Sequence, residues 1–215
     1  MVRQARSERT RHTIIKAAAD MFERYGYGAT SLSDVISHAG VTKGSLYFHF
    51  ASKEDLAHAV VDEQHAMWMD QARAFADRSV PALEGLIRMS YGLAGQLIEQ
   101  PVVRAGIRLT LENGTFLRPR SDPYLDWIAA VENLLRQAVT QRELRVSTEP
   151  IRASRFVVSA FTGIQLVAQV LDERKLLFDR VEEMWDLLLP GLVVPKKLGY
   201  YLGFASSVRK ELIVT

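Results

Sequence analysis

The segment Ser31–Phe50 constrains the fold of this chain more than any other stretch. Its sequence, SLSDVISHAGVTKGSLYFHF, predicts two short helices joined by a tight turn at Gly40. Ser31 with Asp34 fits a capping box at the start of the first helix. Gly40 suits a left-handed helix end, and Thr42 can cap the second helix. Two helices around a short turn that contains glycine are the helix-turn-helix pattern, in which the second helix enters the DNA major groove.

The second predicted helix carries the residues that favour DNA binding. An ordinary helical hairpin in a protein core would make this helix amphipathic and unremarkably charged. Here Leu46 and Phe50 remain to anchor the helix. One side carries hydrogen-bond donors or small residues: Lys43, Gly44, Ser45, Tyr47 and His49.

A basic stretch lies just upstream. The sequence predicts a helix over Ser7–Tyr25, which Gly26 ends. Basic side chains precede this predicted helix and continue into it. Such a run usually lies on a solvated face, but beside a helix-turn-helix we expect it to contact DNA phosphates or the minor groove. Only Glu8 balances five cationic side chains in this region: Arg3, Arg6, Arg9, Arg11 and Lys16.

A further helix start follows the predicted DNA-reading helix. Ser52 and Asp55 fit another capping box, and Lys53 lies in the first turn of a long helix predicted to end near residue 76. Because a helix N-terminus with a lysine beside it suits a DNA phosphate, Lys53 is a predicted phosphate contact.

The rest of the sequence also predicts helices, and strand signals are nearly absent. The predicted fold is therefore all-α, with a helix-turn-helix DNA-binding domain over residues 1–52 and a larger helical domain over residues 53–215. The remaining predicted helices cover about residues 81–100, 102–111, 123–141, 150–172, 181–189 and 195–212, with a loop over 112–121.

Composition excludes several classes of function. The 215 residues carry a formal net charge of only +2, so any basic surface must be local. Without cysteine the chain has no disulfide, iron–sulfur cluster or cysteine-based zinc site, which fits a reducing, cytoplasmic location. We expect no signal peptide, no apolar run of transmembrane length and no membrane partner.

Enzymatic and metal-binding interpretations have little support. The sequence lacks a glycine-rich phosphate loop, a GxSxG motif and an HExxH motif. His58, Asp62 and His65 share a helical face at a spacing that could bind a metal, but exposed faces of long helices often look like this. We therefore predict no catalytic residue, no metal and no cofactor.

The predicted helix over residues 150–172 is apolar almost all round and should be buried on most sides. A subunit interface would cover one face more than a monomer does, so this helix indicates a homodimer; simple core burial is the alternative. A two-fold dimer would read a pseudo-palindromic operator. The partner surface is predicted on the following helix: Met184, Trp185, Leu187, Leu188 and Leu189.

The three-helix head, and above all GVTKGSLYFHFASKEDLA over Gly40–Ala57, resembles the DNA-binding domain of the TetR family of bacterial repressors. Other segments resemble one branch of that family, the gamma-butyrolactone receptors of antibiotic-producing bacteria. These segments are RAGIRL over Arg104–Leu109, the loop and helix with Pro123 and Trp127, and FTGIQ over Phe161–Gln165.

The resemblance assigns DNA-contacting roles to matching positions. Lys43 and Ser45 match base-edge readers of the family. The matching phosphate contacts are Thr42, Tyr47, His49 and Lys53. The predicted DNA surface also includes Arg3, Arg6, Ser31, Ser33 and Gly44.

Polar residues on otherwise apolar stripes predict a ligand pocket. Gln64 and Trp127 lie on such stripes, and Thr162 with Gln165 belongs to a neutral polar seam. An apolar pocket with a few polar groups suits a neutral, amphipathic ligand; alternatively, these groups satisfy one another and Trp127 fills the core. The resemblance favours the pocket, because Trp127 matches the pocket tryptophan of butyrolactone receptors. Tyr91 completes the predicted ligand-binding set.

Together these features predict a homodimeric repressor that a small effector of gamma-butyrolactone or butenolide type releases from operator DNA. Within the same class, the alternative is a repressor of an efflux gene that senses drug-like compounds. From another class, the alternative is a lactone-processing enzyme with a DNA-binding head. The absence of a nucleophile–base constellation argues against that enzyme.

Overall fold

The computed structural model describes residues 2–75, 80–112 and 122–213, and the side chains of 4–75, 80–112 and 122–212. Within these ranges the fold is all-α, as predicted, and the one extended pairing is an isolated bridge between Leu144 and Val193. The helices are α1 (Val2–Ala29), α2 (Leu32–Ala39), α3 (Lys43–His49), α4 (Lys53–Phe75), α5 (Ala82–Glu99), α6 (Pro101–Leu111), α7 (Asp122–Thr140), α8 (Pro150–Asp172), α9 (Leu177–Leu192) and α10 (Pro195–Ile213).

The bounds of α1 and α9 differ from the sequence prediction. Gly26, predicted to end the first helix, takes a non-helical conformation with φ 78° that kinks α1, and the helix continues to Ala29. α1 begins at Val2 rather than Ser7, because the N-terminal segment is rich in Arg, Gln, Ala and Glu, which are good helix formers. The basic stretch is therefore itself helical. α9 begins at Leu177 rather than Val181 and continues through Pro190 to Leu192. The missing N–H of Pro190 costs one helical hydrogen bond without ending the helix in its last turn.

The chain divides into two compact units. The first, called the head unit, comprises Met1–Met67 and Glu99–Ser121; the second, called the cavity unit, comprises Trp68–Ile98 and Asp122–Thr215. This division differs from the predicted boundary between residues 52 and 53. It includes the first part of α4 in the head unit, and also α6, which packs against α1.

One apolar core holds the head unit together. α1, α2, α3, α4 and α6 all contribute to it, so the short α2 and α3 are fixed by burial rather than by their own length. Its fully buried members include Ile14, Ile15, Ala18, Phe22, Val35, Leu46, Leu56 and Val60.

A polar cluster joins α6 to the end of α1 within the head unit. Arg104 pairs with Glu23, both about three-quarters buried or more, and Arg108 donates a 2.6 Å hydrogen bond to the Glu23 carbonyl. Arg108 also bonds Glu112, whose carboxylate accepts from the Tyr27 backbone N–H at 3.3 Å. The RAGIRL segment therefore orients the helix that precedes the helix-turn-helix.

The cavity unit is built from α5 and α7–α10 with the end of α4. Buried polar groups are paired at two places that fix the helices. The Trp185 indole N–H donates to the Ser90 hydroxyl at 2.9 Å. The Glu143 carboxylate, 2% exposed, accepts from the Leu83 backbone N–H at 3.1 Å and from the Tyr201 hydroxyl, and so caps the start of α5.

The prediction that α8 is buried on most sides is wrong for the single chain. One stripe is buried, whereas Val170 is 84% and Leu171 67% exposed. The predicted partner surface on α9 is also reduced, because Met184, Trp185 and Leu189 are buried within the unit; Leu187 is 82% exposed. α8 therefore carries more apolar side chains than the single chain buries.

The expectation that no apolar segment reaches transmembrane length also needs correction. By length and composition alone, α8 is long and apolar enough to cross a membrane; its most apolar stretch of 18 residues has a mean hydropathy of 1.3. Its buried stripe nevertheless packs against α7 and α9. A helix of this kind is also found in the cores and interfaces of soluble proteins.

Candidate DNA-binding surface and ligand cavity

The helix-turn-helix has the local geometry that its sequence predicts. The Ser31 hydroxyl accepts from the Asp34 N–H, and the Asp34 carboxylate accepts from the Ser31 N–H at 3.0 Å, which completes the capping box. Hydrogen bonds from the Ser31 hydroxyl and backbone lower the pKa of Asp34. Gly40 ends α2 with φ 63°, and the Thr42 hydroxyl accepts from the Ser45 N–H at 3.1 Å. All three predicted cap positions are confirmed.

α3 presents one face to solvent and anchors the other. Leu46 is fully buried and Phe50 is 2% exposed, so they hold the helix in the core of the head unit. The predicted DNA contacts Thr42, Lys43, Gly44 and Tyr47 are exposed, and Ser45 and His49 are partly exposed. The Thr42 cap uses only the acceptor side of its hydroxyl, so the O–H remains available as a donor.

Phe48 is a residue that the sequence reasoning missed. It lies on α3 between two predicted contacts, and its side chain is 78% exposed. A large apolar side chain this exposed on a DNA-reading helix suits contact with a thymine methyl group. The signal was present in the sequence, because Leu46 and Phe50 already supply the anchors of this short helix.

Lys53 has partners that the sequence did not predict. Its ammonium group donates to the Tyr27 carbonyl at 2.8 Å and to the Thr30 carbonyl at 3.0 Å, and it lies 4.2 Å from the centroid of the Tyr27 ring. The second capping box is only half formed: the Ser52 hydroxyl accepts from the Asp55 N–H, but the Asp55 carboxylate accepts from the Ala51 N–H. Lys53 thus ties the start of α4 to the end of α1, and its phosphate contact remains a prediction.

The other predicted DNA contacts lie on α1 and α2. Arg6 is exposed on the first helical turns of α1, whereas the side chain of Arg3 lies outside the described residues. Ser31 and Ser33 are both exposed. The Ser31 hydroxyl donates to the Asp34 carboxylate at 2.6 Å, so its hydrogen is already engaged in the cap.

A cavity lies between α4, α5, α7 and α8 of the cavity unit. Its volume is about 40 Å³, so it is narrow. The described lining is apolar apart from Ser90 and two indole rings. The lining residues are Trp68, Ala72, Leu86, Met89, Ser90, Leu93, Trp127, Ala130, Val131, Val157, Val158 and Phe161.

Trp127 lines this cavity, as the ligand-pocket interpretation expects. Its ring stacks on Trp68, with centroids 3.2 Å apart and planes inclined by 21°, and meets Tyr124 edge-on at 5.7 Å. Trp68 is a second cavity tryptophan that the sequence reasoning did not assign. Periodicity in the sequence cannot show that two residues on different helices are in contact, because that contact depends on how the helices pack.

The other predicted ligand residues are not among those that line the cavity. Gln64 is buried in the head unit and packs closely against Gly106. A Cβ atom added to Gly106 would lie only 2.6 Å from the Cβ of Gln64. Tyr91 packs near Phe178. Burial and the charges of nearby Glu182 and Asp186 raise the pKa of Tyr91.

The polar seam of α8 is partly engaged with other side chains. Burial raises the pKa of Tyr124, and a side-chain hydrogen bond with Thr162 acts in the opposite direction. The Gln165 amide oxygen accepts from the Arg174 guanidinium at 3.2 Å. Direct ligand contact by Gln64, Tyr91, Thr162 and Gln165 therefore remains a prediction. Across the described residues, no group of three or more His, Cys, Asp or Glu side chains could hold a metal ion.

Comparison with known families gives the class of protein. Residues 14–60 match the model of bacterial regulatory proteins of the tetR family, and residues 80–195 match the tetracyclin repressor-like C-terminal domain. The chain belongs to the tetR family of bacterial regulatory proteins. It is a DNA-binding, ligand-responsive transcriptional repressor and not an enzyme.

Individual relatives resemble the chain over most of its length. It is 37% identical to the A-factor receptor protein of Streptomyces griseus over 195 residues, which cover 91% of this chain and 68% of that protein. A crystal structure of a gamma-butyrolactone receptor, an ArpA-like protein, is 37% identical with a TM-score of 0.83 over 96% of this chain and 99% of that one. CprB from Streptomyces coelicolor, solved with its operator sequence, is 36% identical with a TM-score of 0.80 over the same shares.

Proposed function

We propose that this repressor is a homodimer that binds a pseudo-palindromic operator and is released by an effector of gamma-butyrolactone or butenolide type. The observation that carries the proposal is the combination within one chain of an exposed, donor-rich α3 and an apolar cavity lined by Trp127. Relatives that match over most of this chain are receptors for A-factor and gamma-butyrolactones, which favours that effector class.

Operator reading is assigned to α3. Lys43 and Ser45 reach base edges in the major groove, because a lysine donates to guanine acceptors and a serine hydroxyl can either donate to or accept from a base edge. Thr42, Tyr47 and His49 donate to phosphates, and Gly44 lets the backbone approach closely. Arg6, Ser31 and Ser33 lie on exposed surfaces of the same unit and complete the set. The repressor acts on bacterial DNA and is therefore placed in the cytoplasm.

Dimerisation is assigned to the exposed apolar side of α8 together with Leu187 of α9. These side chains are unusually exposed for a soluble chain, and covering them in a second copy removes apolar surface from water. Two heads related by a two-fold axis then meet two half-sites separated by whole turns of DNA. The exposed members of this surface are Phe156, Leu166, Val167, Val170, Leu171 and Leu187.

Release follows from linkage between two sites. If the effector binds better to the conformation with low DNA affinity, it lowers DNA affinity by the same factor that DNA lowers effector affinity. The cavity gives the effector a place to bind that is distinct from α3, so the two ligands need not compete for one surface. The effector acts by shifting populations rather than by displacing DNA from α3.

The test begins with selection of operator sequences from random DNA by the purified protein. Gel-shift assays then measure release by lactones, butenolides and furans. We expect release by lactones or butenolides at concentrations that leave the protein folded and dimeric. An operator complex that none of these compounds alters contradicts the proposed effector class.

A further inference from the structure

Two indole N–H groups in the cavity have no hydrogen-bond partner among the residues that the structure describes. Trp68 is 2% exposed, and the Nε1 atoms of both Trp68 and Trp127 are buried and make no hydrogen bond within the described part of the chain. Both rings line the same cavity and stack on each other. The third tryptophan of the chain shows the usual arrangement, because the Trp185 N–H donates to the Ser90 hydroxyl at 2.9 Å.

Unpaired buried donors are costly. A buried polar group without a partner loses its hydrogen bonds to water and gains none in return. Most native structures avoid such groups, and each exception calls for a physical reason. One bound molecule that supplies acceptor atoms would satisfy both donors, and this would explain why both lie unpaired in the same cavity.

The rest of the described lining limits the chemistry of that molecule. The Ser90 hydroxyl donates to the Ile87 carbonyl at 2.7 Å and accepts from Trp185, so it is already engaged. The other described lining residues are apolar, and none carries a charge. A carboxylate in these surroundings would be desolvated without a countercharge, which is strongly unfavourable.

We propose that Trp68 is a specificity-determining residue that, with Trp127, donates its indole N–H to acceptor oxygens of an uncharged effector. A lactone carbonyl with its ring oxygen matches this pair of donors, whereas the hydrolysed hydroxy acid does not. The inference rests on the proposed function and adds the chemistry by which the cavity selects its effector. Because the cavity is narrow and the rings are stacked, a bound lactone ring parts or shifts the two indoles.

The experiment compares three probes with the same ten-carbon chain by calorimetry without DNA. γ-Decalactone carries the lactone, 2-hexyltetrahydrofuran lacks the carbonyl oxygen, and 4-hydroxydecanoate carries a charge. The wild-type protein is expected to bind the lactone at least tenfold more tightly than either of the other two. Trp68→Phe keeps an aromatic ring but removes the N–H, so the lactone should lose roughly tenfold in affinity and the ether much less.

A matched control and a spectroscopic readout separate recognition from packing. In Trp185→Phe the preference for lactone over ether should remain, because that N–H is bonded to Ser90. In the wild-type protein, ¹H–¹⁵N spectra should show the Trp68 indole N–H proton moving downfield with lactone and much less with ether. This readout does not depend on whether a substituted protein folds well.

The outcomes distinguish the two proposals. Equal losses for lactone and ether in Trp68→Phe, or an unmoved Trp68 indole signal, overturn the assignment of Trp68 even if lactones still release the operator. Tight binding of 4-hydroxydecanoate overturns the requirement for an uncharged effector. Failure of every lactone and butenolide tested to bind the wild-type protein contradicts the proposed effector class itself.

Discussion

The Lys53 ammonium group donates a 2.8 Å hydrogen bond to the Tyr27 carbonyl and lies 4.2 Å from the centroid of the Tyr27 ring. With its second bond, to the Thr30 carbonyl, it satisfies backbone acceptors at the end of α1. Two of its three N–H donors are used in this way, and the third remains for a DNA phosphate. Lys53 is therefore a structural residue of the head unit as well as a predicted DNA contact.

Lys53→Met should destabilise the head unit by about 1–3 kcal/mol, because two partly buried carbonyls lose a charged donor. Urea unfolding measures this change, with Lys16→Met as the control at an exposed lysine. Lys53→Met should also reduce the slope of log operator affinity against log salt concentration by about one, because one phosphate contact is lost. Loss of stability with an unchanged salt slope would restrict Lys53 to its role at the end of α1.

Lys43→Ala should relax sequence preference at one base pair of each half-site, at a cost of roughly 1–3 kcal/mol for the preferred sequence. Lys43 is exposed at the start of α3, so protein stability should be unaffected. Operator selection repeated with the variant measures the change in preference. Uniform weakening on all sequences would instead make Lys43 a phosphate contact.

Phe48→Ala should leave the free energy of unfolding within about 0.5 kcal/mol of the wild type, because the side chain is 78% exposed. Operator binding should weaken by roughly 1–2 kcal/mol with no change in salt slope, since an apolar contact releases no counterions. Unaltered operator affinity would place Phe48 outside the DNA interface.

Val170→Glu should convert the dimer to monomers at little cost to the fold, because Val170 is 84% exposed on α8 of the single chain. Each monomer would lose the partner half-site, so operator affinity should fall towards the non-specific level. Sedimentation measures the assembly, and Val146→Glu is the control at an exposed loop position. A variant that stays dimeric would move the interface away from this side of α8. Phe161 is a poorer choice, because it is buried and lines the cavity.

Local signals predicted the head well, because their causes lie within a few residues. Ser31, Gly40 and Thr42 act on backbone groups of neighbouring residues, and the structure places all three as expected. The partners of Lys53 are 23 and 26 residues away, so no local pattern could reveal them.

The candidate ligand site was predicted less completely. Trp127 lies in the cavity, but Gln64, which shares its amphipathic character, faces Gly106 in the head unit. Helical periodicity shows that a residue is buried but not which neighbours bury it. The stacking of Trp68 on Trp127 likewise depends on the packing of α4 against α7, which the sequence pattern does not specify.

Operator release by Trp127→Ala tests the central claim, that the cavity in which Trp127 lies is the effector site. A tightly packed core tryptophan would cost about 3–5 kcal/mol on truncation, whereas a cavity wall should cost less. We expect the variant to fold, to dimerise and to bind operator like the wild type in a gel-shift titration. Lactone at the concentration that releases the wild-type protein should then leave the variant bound. A folded variant that binds operator and lets go at the same lactone concentration as the wild type would contradict the account.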